Sequence, residues 1–189
     1  MFKYIINGGI LEGVYEIRIH GRGGQGVRMT AHILGRAAFL SGFITQDFAI
    51  YGAERRGAPV ASFCRISKED ILTRGYIFNP DAVIVLDPTV EPGQILKGLK
   101  EGGKVIVNSE RPLEKFPNAV FVDATKIAMD TLGKPIPNVT ILGGLLKITN
   151  LFPLEKLKEA VRIELTEEEH PEAVEGNIKA CEICYNIVK

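Results

Sequence analysis

The chain has no tryptophan and only three cysteines among its 189 residues. Three thiols cannot build the paired framework of a disulfide-stapled fold, and they fall short of the four that hold an iron–sulfur cluster. A reducing, cytoplasmic setting is therefore expected. Excess charge of either sign is absent too, because 23 Lys and Arg balance 23 Asp and Glu. A general nucleic-acid binder carries a basic surplus, so no nucleic-acid partner is expected. No apolar run approaches the roughly 18 residues of a membrane span, so no membrane partner is expected either. The opening segment, residues 1–9, has one early lysine and a very short apolar stretch, and it does not read as a signal peptide. Internal repeats and low-complexity stretches are missing.

What is present suits a globular protein: 46% hydrophobic and 24% charged residues, too apolar for disorder. The length fits one domain, with a core large enough to need no covalent staple.

Residues 1–14 read as an extension broken by Gly8, Gly9 and Gly13. From Val14 to His20, Val14, Glu16, Arg18 and His20 alternate with Tyr15, Ile17 and Ile19, the period of a strand. After a glycine-rich turn, Val27, Met29, Ile33, Leu34, Ala37, Ala38 and Leu40 recur at helical spacing, with Ser41-Gly42 as the stop. Residues 42–47 read as a short second strand and 48–59 as a loop. Val60–Ile66 alternates, and Ile71–Arg74 after a polar turn suggests its hairpin partner. Residues 81–87, 104–108 and 119–122 read as buried parallel strands. Helices are expected at 94–100, from an Asp123 cap through Leu132, at 140–149, at 154–165 and at 171–188. Alternating strands and helices predict a single three-layer α/β domain over residues 15–189, with a mainly parallel, mixed sheet and a Rossmann-like first β-loop-α unit.

That first unit carries the sharpest motif. Gly21, Gly23 and Gly26 form G-x-G-x-x-G between a strand and a helix, within the run Gly21, Arg22, Gly23, Gly24, Gln25, Gly26. Glycine permits positive φ and lets a phosphate approach without meeting a Cβ. The exposed N–H groups and the helix's positive end attract an anion. A tight strand–helix turn without a ligand is the competing reading. The loop lacks the Gly-Lys-Ser/Thr ending of a P-loop, which argues against ATP hydrolysis of that kind. Asp47, 21 positions beyond Gly26, stands near where a dinucleotide site places its ribose-binding acid, so a stand-alone NAD-dependent dehydrogenase is a rival. A second cluster, Glu54, Arg55, Arg56 and Gly57, lies in a Gly/Pro loop. Two guanidinium groups there suit phosphate recognition, although a solvated Glu–Arg pair would leave the same signature.

The run at 20–26 followed by Tyr-Gly-Ala-Glu-Arg-Arg-Gly-Ala-Pro-Val at 51–60 resembles the gamma subunit of the 2-oxoacid:ferredoxin oxidoreductases, the pyruvate, ketoisovalerate, 2-oxoglutarate and indolepyruvate enzymes of anaerobic metabolism. Residues 65–67, 79–87 and 137–144, Pro153-Leu-Glu155 and Asn177 extend the resemblance over residues 15–188. The chain departs from the pattern at its N-terminal extension and at Asp47-Phe-Ala-Ile50. The resemblance implies a subunit, inactive alone, of an enzyme that converts a 2-oxoacid to acyl-CoA, CO2 and reduced ferredoxin. It implies thiamine diphosphate, Mg2+ and iron–sulfur clusters in partner subunits (alpha, beta and delta), ferredoxin as acceptor, and a part for this chain in holding coenzyme A. Within it, Gly21–Gly26 would cradle CoA phosphate, Gln25 would donate from its side chain, Arg55 and Arg56 would neutralise charge and Glu54 would orient them. A nucleotide-binding assembly module without chemistry is the third reading. The apolar 140–149 helix and the 48–59 loop are candidate interfaces.

Other polar residues carry blander expectations. Cys181 and Cys184 share a helix face and lack a second ligand pair, so packing is expected rather than metal. His20 is expected to be a satisfied structural histidine, and His32 and His170 helix-surface residues. Asp87 and Asp123 are expected as turn or cap residues, and Glu167–Glu169 as a solvated start to the last helix. No Ser/His/Asp or Cys/His set stands in recognisable order, so independent hydrolysis is not expected.

Overall fold

A computed structural model describes residues 13–49 and 57–189, together with the backbone of residues 5–6 and 9–10. Ile5–Ile6 (β1) and Gly9–Ile10 (β2) pair antiparallel ahead of the main sheet. The remaining strands are β3 (Val14–Arg22), β4 (Ile44–Ala49), β5 (Pro59–Ser67), β6 (Ala82–Val85), β7 (Lys104–Asn108) and β8 (Val120–Val122). They form one sheet in the order β4-β5-β3-β6-β7-β8. β3, β6, β7 and β8 run parallel, and β5 is antiparallel to both of its neighbours. The expected mixed, mainly parallel α/β architecture is observed.

Two sequence expectations give way here. The partner of β5 is β4, not residues 71–74, which form no strand. Residues 68–76 run outward as a loop because Arg65, fully buried on β5, takes the carbonyl oxygens of Gly75 and Tyr76 through its Nη2. The connection expected at 48–59 is shorter, since β4 continues through Ala49.

The two sheet faces are clothed unequally. One face receives α1 (Val27–Leu40) and α4 (Thr140–Thr149), with α5 (Leu154–Glu167) against α1 and α6 (Val174–Ile187) and α3 (Ala124–Leu132) beyond α4. Ile17, Ile19, Ile84 and Ile106 point into this larger core. Val83, Val85, Val105 and Val107 point to the other face, which is covered by the short α2 (Pro92–Ile95) and by loop residues such as Phe116. The third layer is thus mostly loops. α2 is shorter than expected because it begins at Pro92 under a Glu91 cap and Gly98 then turns the chain at a φ of 74°.

α4 is a central helix. Thr140 through Leu146 are buried, and α6 lies against them, so this apolar helix, a candidate interface by sequence, is interior packing. Its two glycines are required there: a Cβ on Gly144 would meet Ile106 and Cys184, and one on Gly143 would overlap the backbone of Cys181. The last helix begins later than expected. Pro171–Ala173 is a separate 3-10 turn, and Glu167 ends α5 instead of opening the last helix. Asp123 caps α3 by accepting from the amide of Lys126 at 2.8 Å. Among the described residues, no helix is long and apolar enough to cross a membrane.

Candidate functional site: the glycine loop at the head of α1

β3 and β6 are adjacent and parallel, and the chain leaves them toward opposite edges of the sheet. Their carboxyl ends therefore flank the switch point at which ligands sit in open α/β sheets. The glycine loop occupies this place. β3 carries on through Arg22, which pairs with Pro59, and the ribbon continues past the sheet: Gly23 N–H donates to Ala58 O at 2.8 Å, and Gly57 N–H to Gly23 O at 3.1 Å. Gly57 is thereby bolted to the glycine loop. Glu54, Arg55 and Arg56 lie outside the described residues.

The three motif glycines have different reasons. A Cβ on Gly21 would stand 2.8 Å from Val27 Cγ2 and 2.9 Å from Gln25 Oε1. Gly26 is the N-cap of α1 with a left-handed φ of 73°, and a Cβ there would overlap the side chain of Asn138. Both are demanded by internal packing. Gly23 and exposed Gly24, the latter at a φ of 93°, form the outward part of the loop where a ligand could approach.

Gln25 and Arg22 are half-buried and take their partners from the protein itself. Gln25 Oε1 accepts from the Arg22 amide at 2.8 Å, and Gln25 Nε2 donates to Asp87 Oδ2 at 3.0 Å. Arg22 Nε stands 3.3 Å from Asp87 Oδ2 and 3.1 Å from Thr89 Oγ1. Its Nη1 donates to Gly57 O at 3.0 Å. Asp87, just past β6, is a turn residue as expected, since Oδ1 accepts from the Thr89 amide at 2.8 Å. Burial raises the Asp87 carboxyl, but the hydrogen bonds from Thr89 and Gln25 and the charge of Arg22 outweigh it and hold it below the ordinary carboxylate range. It is a fixed anion between two loops.

Beside this network a cleft of about 300 Å³ opens between the head of α1 and the start of β5, lined by Gly23, Gly24, Gly26, Arg28, Val60 and Ser62. The N-terminus of α1 faces it without a side-chain cap or an acidic residue in its first turn. The unpaired amides and the helix dipole favour an anion there. Arg28 is an exposed cation on that first turn and makes no ion pair among the described residues. In sequence it shows only as a basic residue set against the helix dipole, where an acidic one is preferred.

Asp47 does not serve a dinucleotide. The strand beside β3 is antiparallel β5, which displaces β4 to the edge, and Asp47 Oδ2 sits 3.0 Å from His32 Nδ1 on α1. His32 is more than a surface residue, because its Nε2 also stands 3.4 Å from the buried Glu164 of α5. His170 keeps an exposed contact with Glu172 at 3.6 Å. His20 faces away from the cleft side of β3. It is largely buried and its Nε2 finds no partner among the described residues, so the expected satisfied histidine is not observed. Burial first, and the charge of Arg18 second, push its pKa down to about 4. Cys64, Cys181 and Cys184 are fully buried. Burial pushes all three thiols up, and Cys181 donates to Val139 O, so these side chains pack and do not suit a cluster.

This α/β domain has a glycine loop at its switch point and an open helix N-terminus, and its Asp47 is engaged with His32, an arrangement distinct from that of the dinucleotide dehydrogenases. Residues 16–187 match the pyruvate ferredoxin/flavodoxin oxidoreductase family, and the chain belongs to it. It is 47% identical over 156 residues to the pyruvate/ketoisovalerate oxidoreductases common subunit gamma of Thermococcus litoralis, covering 78% of this chain and 84% of that one. The crystal structure of pyruvate oxidoreductase subunit PORC from Thermotoga maritima superposes with a TM-score of 0.81 at 34% identity, covering 94% of this chain and 98% of that one. A 2-oxoglutarate:ferredoxin oxidoreductase from Magnetococcus marinus, solved with 2-oxoglutarate, coenzyme A and succinyl-CoA bound, shares the fold at a TM-score of 0.73 and 18% identity. There the match covers 95% of this chain and 32% of that one. The expected gamma-type oxidoreductase subunit agrees with these relatives, and the stand-alone dehydrogenase has no support among them.

Proposed function

We propose that this chain is the gamma subunit of a cytoplasmic 2-oxoacid:ferredoxin oxidoreductase and that its glycine loop receives a phosphate of coenzyme A. The observation that carries the reading is the uncapped N-terminus of α1, which opens on a cleft bordered by Gly23, Gly24 and Arg28. Coenzyme A brings a diphosphate and a 3′-phosphate, the anion class that such a terminus attracts. Arg55 and Arg56, which precede Gly57 in the chain, would supply further positive charge, with Glu54 to orient it.

Residues 15–189 form the working domain and residues 1–14 an extension to it. The chain binds and orients; it contributes no nucleophile or redox centre. Thiamine diphosphate, Mg2+ and the iron–sulfur clusters belong to alpha, beta and delta partners, where the 2-oxoacid is decarboxylated and electrons pass to ferredoxin. The buried thiols agree with clusters held elsewhere.

The test uses the assembled enzyme. Replacing Arg55 and Arg56 together by Ala is expected to raise the KM for coenzyme A about tenfold or more, the loss of one charge-assisted contact of roughly 1.4 kcal/mol or better. The KM for the 2-oxoacid should stay put. An unchanged KM for coenzyme A overturns the assignment.

A further inference from the structure

β4 is the outermost strand of the six-stranded sheet: β5 holds one side of it, and among the described residues no strand takes the other. An edge strand offers a row of open amides and carbonyls, which natural proteins blunt with lysine, proline, a bulge or a very short strand. β4 uses none of these. It is six residues long, reads Ile-Thr-Gln-Asp-Phe-Ala, and pairs with β5 without a bulge from Ile44↔Ser67 to Ala49↔Ser62. Its one charged residue, Asp47, sits 3.0 Å from His32 Nδ1 on α1. Apolar surface flanks the edge on both faces. On the helix face, exposed Phe39 borders a cleft of about 260 Å³ together with Thr45 and Asp47. On the other face Ile44 is exposed, and Phe48 stacks on Phe63 at 4.9 Å, which leads on to exposed Tyr76 at 5.9 Å.

We propose that the β4 edge pairs antiparallel with the β4 edge of a second copy of this chain, joining the two sheets across a two-fold axis between the two Gln46 residues. The side chains select both the occupant and the register. Residues directly opposite in an antiparallel pair share a face, so a two-fold axis normal to the sheet must be centred on one residue. Only centres at Gln46 or Asp47 engage five of the six residues of β4. A centre at Asp47 sets two carboxylates opposite each other, which is repulsive. A centre at Gln46 sets Ile44 opposite Phe48 of the second copy, apolar on apolar, and Thr45 opposite its Asp47. Among the described residues the Thr45 hydroxyl makes no hydrogen bond and Asp47 bonds through Oδ2 alone, so symmetry brings a free donor to a free acceptor twice. An isologous contact requires this kind of self-complementarity, and a strand of another sequence would not supply it.

The test needs no substrate, so its failure is independent of the coenzyme A reading. Sedimentation of the full chain over a range of concentrations is compared for the wild type and two variants of opposite charge at one edge position. Thr45→Asp sets carboxylates opposite Asp47 of the second copy, twice over, and is expected to weaken the dimer about tenfold or more. Thr45→Lys sets an ammonium there and should dimerise at least as well as the wild type. Gln46→Cys places two thiols at the axis, at the roughly 4.5–5.5 Å Cα separation of a directly opposite pair, which is disulfide range. Mild oxidation should give a covalent dimer of Gln46→Cys and none of Ile44→Cys, whose thiols would lie apart along the strands; the three native thiols are buried and add little background. Thermal melts establish that each variant folds, and the Thr45 pair gives the reading if Gln46→Cys, which loses its bond from Arg65, does not. A wild-type chain that stays monomeric throughout, an equal loss of dimer in both Thr45 variants, or a folded Gln46→Cys that yields no covalent dimer overturns the proposal. So does oxidation that joins Gln46→Cys to a different subunit of the assembled enzyme, which would give the edge to that subunit.

Discussion

Gly143 and Cys181 face each other so closely that the carbonyl oxygen of Cys181 occupies the space a Cβ on Gly143 would need. The contact sets how near α4 and α6 approach, and backbone lies on the far side of it, so relief requires a whole helix to move. Gly143→Ala is expected to destabilise the chain by about 1–3 kcal/mol or more, lowering Tm by roughly 2–10 °C. Gly102, whose Cβ would meet nothing, is the comparison: Gly102→Ala meets only the penalty of its φ of 72°, about 1 kcal/mol. Thermal melts of the two variants side by side should rank Gly143→Ala as the worse.

Arg65 has no exposed surface, yet it carries a full charge. Its Nε donates to Glu16 at 2.9 Å, Nη1 to Gln46 at 2.8 Å and Nη2 to Gly75 O at 2.9 Å, and the guanidinium lies 5.4 Å from the centre of the Phe48 ring. Removing one partner of a buried pair leaves the other charge uncompensated. Arg65→Met should therefore cost roughly 3–5 kcal/mol. It should also free residues 69–76, so limited proteolysis should cut there earlier than in the wild type. Arg65→Lys should rescue little, because the three donors of an ammonium sit on one nitrogen and cannot span acceptors that the guanidinium reaches from three.

His20 makes stability depend on pH in a definite direction. The unfolded chain takes up the imidazole proton near pH 6.5, while the folded chain resists it until about pH 4. Stability from this group is complete above pH 6.5 and is lost as the pH falls between those values, to a total of about 3 kcal/mol. His20→Leu should remove that slope. Urea melts at pH 7, 5.5 and 4 check it: the gap between variant and wild type should grow in the variant's favour as the pH drops, and a constant gap would count against it.

The three thiols should be silent in the native protein. Burial is the main cause that raises each of them, and Cys184 is pushed up to about 12. A thiol reagent at neutral pH should label none of the three in buffer and all three in guanidinium chloride, with native labelling limited by rare opening. Rapid native labelling of Cys64 would contradict its burial on β5.

Much of the fold was legible from residues alone. β3 and β5 showed themselves by alternation, β6 and β7 by short apolar runs, and α1 by its spacing after the glycine turn. The misreadings share a cause: side chains that find their partners far along the chain. Arg18 and Arg65 sit on alternating strands and look solvent-facing, but both are buried under carbonyl groups, Arg18 under those of Ile95 and Lys97 at 2.6 and 2.7 Å. Ile71–Arg74 had the look of a strand, and Arg65 fixes the following carbonyls in a loop instead. At the site, the glycines were visible but their separate reasons were not. The Asn138 amide that requires Gly26 stands 112 positions away. Gln25 had the look of a ligand donor until Asp87, 62 positions on, took its amide. Asp47 stood at a dinucleotide spacing in sequence, but an antiparallel strand separates it from β3.

That antiparallel strand has a thermodynamic consequence for recognition. The ladder from Val14↔Ser67 to Arg22↔Pro59 runs on into the Gly23, Gly57 and Ala58 bonds, so the outer loop is an extension of a paired ribbon. A phosphate at the proposed site would meet loop donors that folding has already ordered. The conformational entropy that a floppy glycine loop would surrender on binding has been given up during folding. Association at this site should accordingly be governed by encounter and charge, and its ionic-strength dependence should exceed any dependence on loop closure.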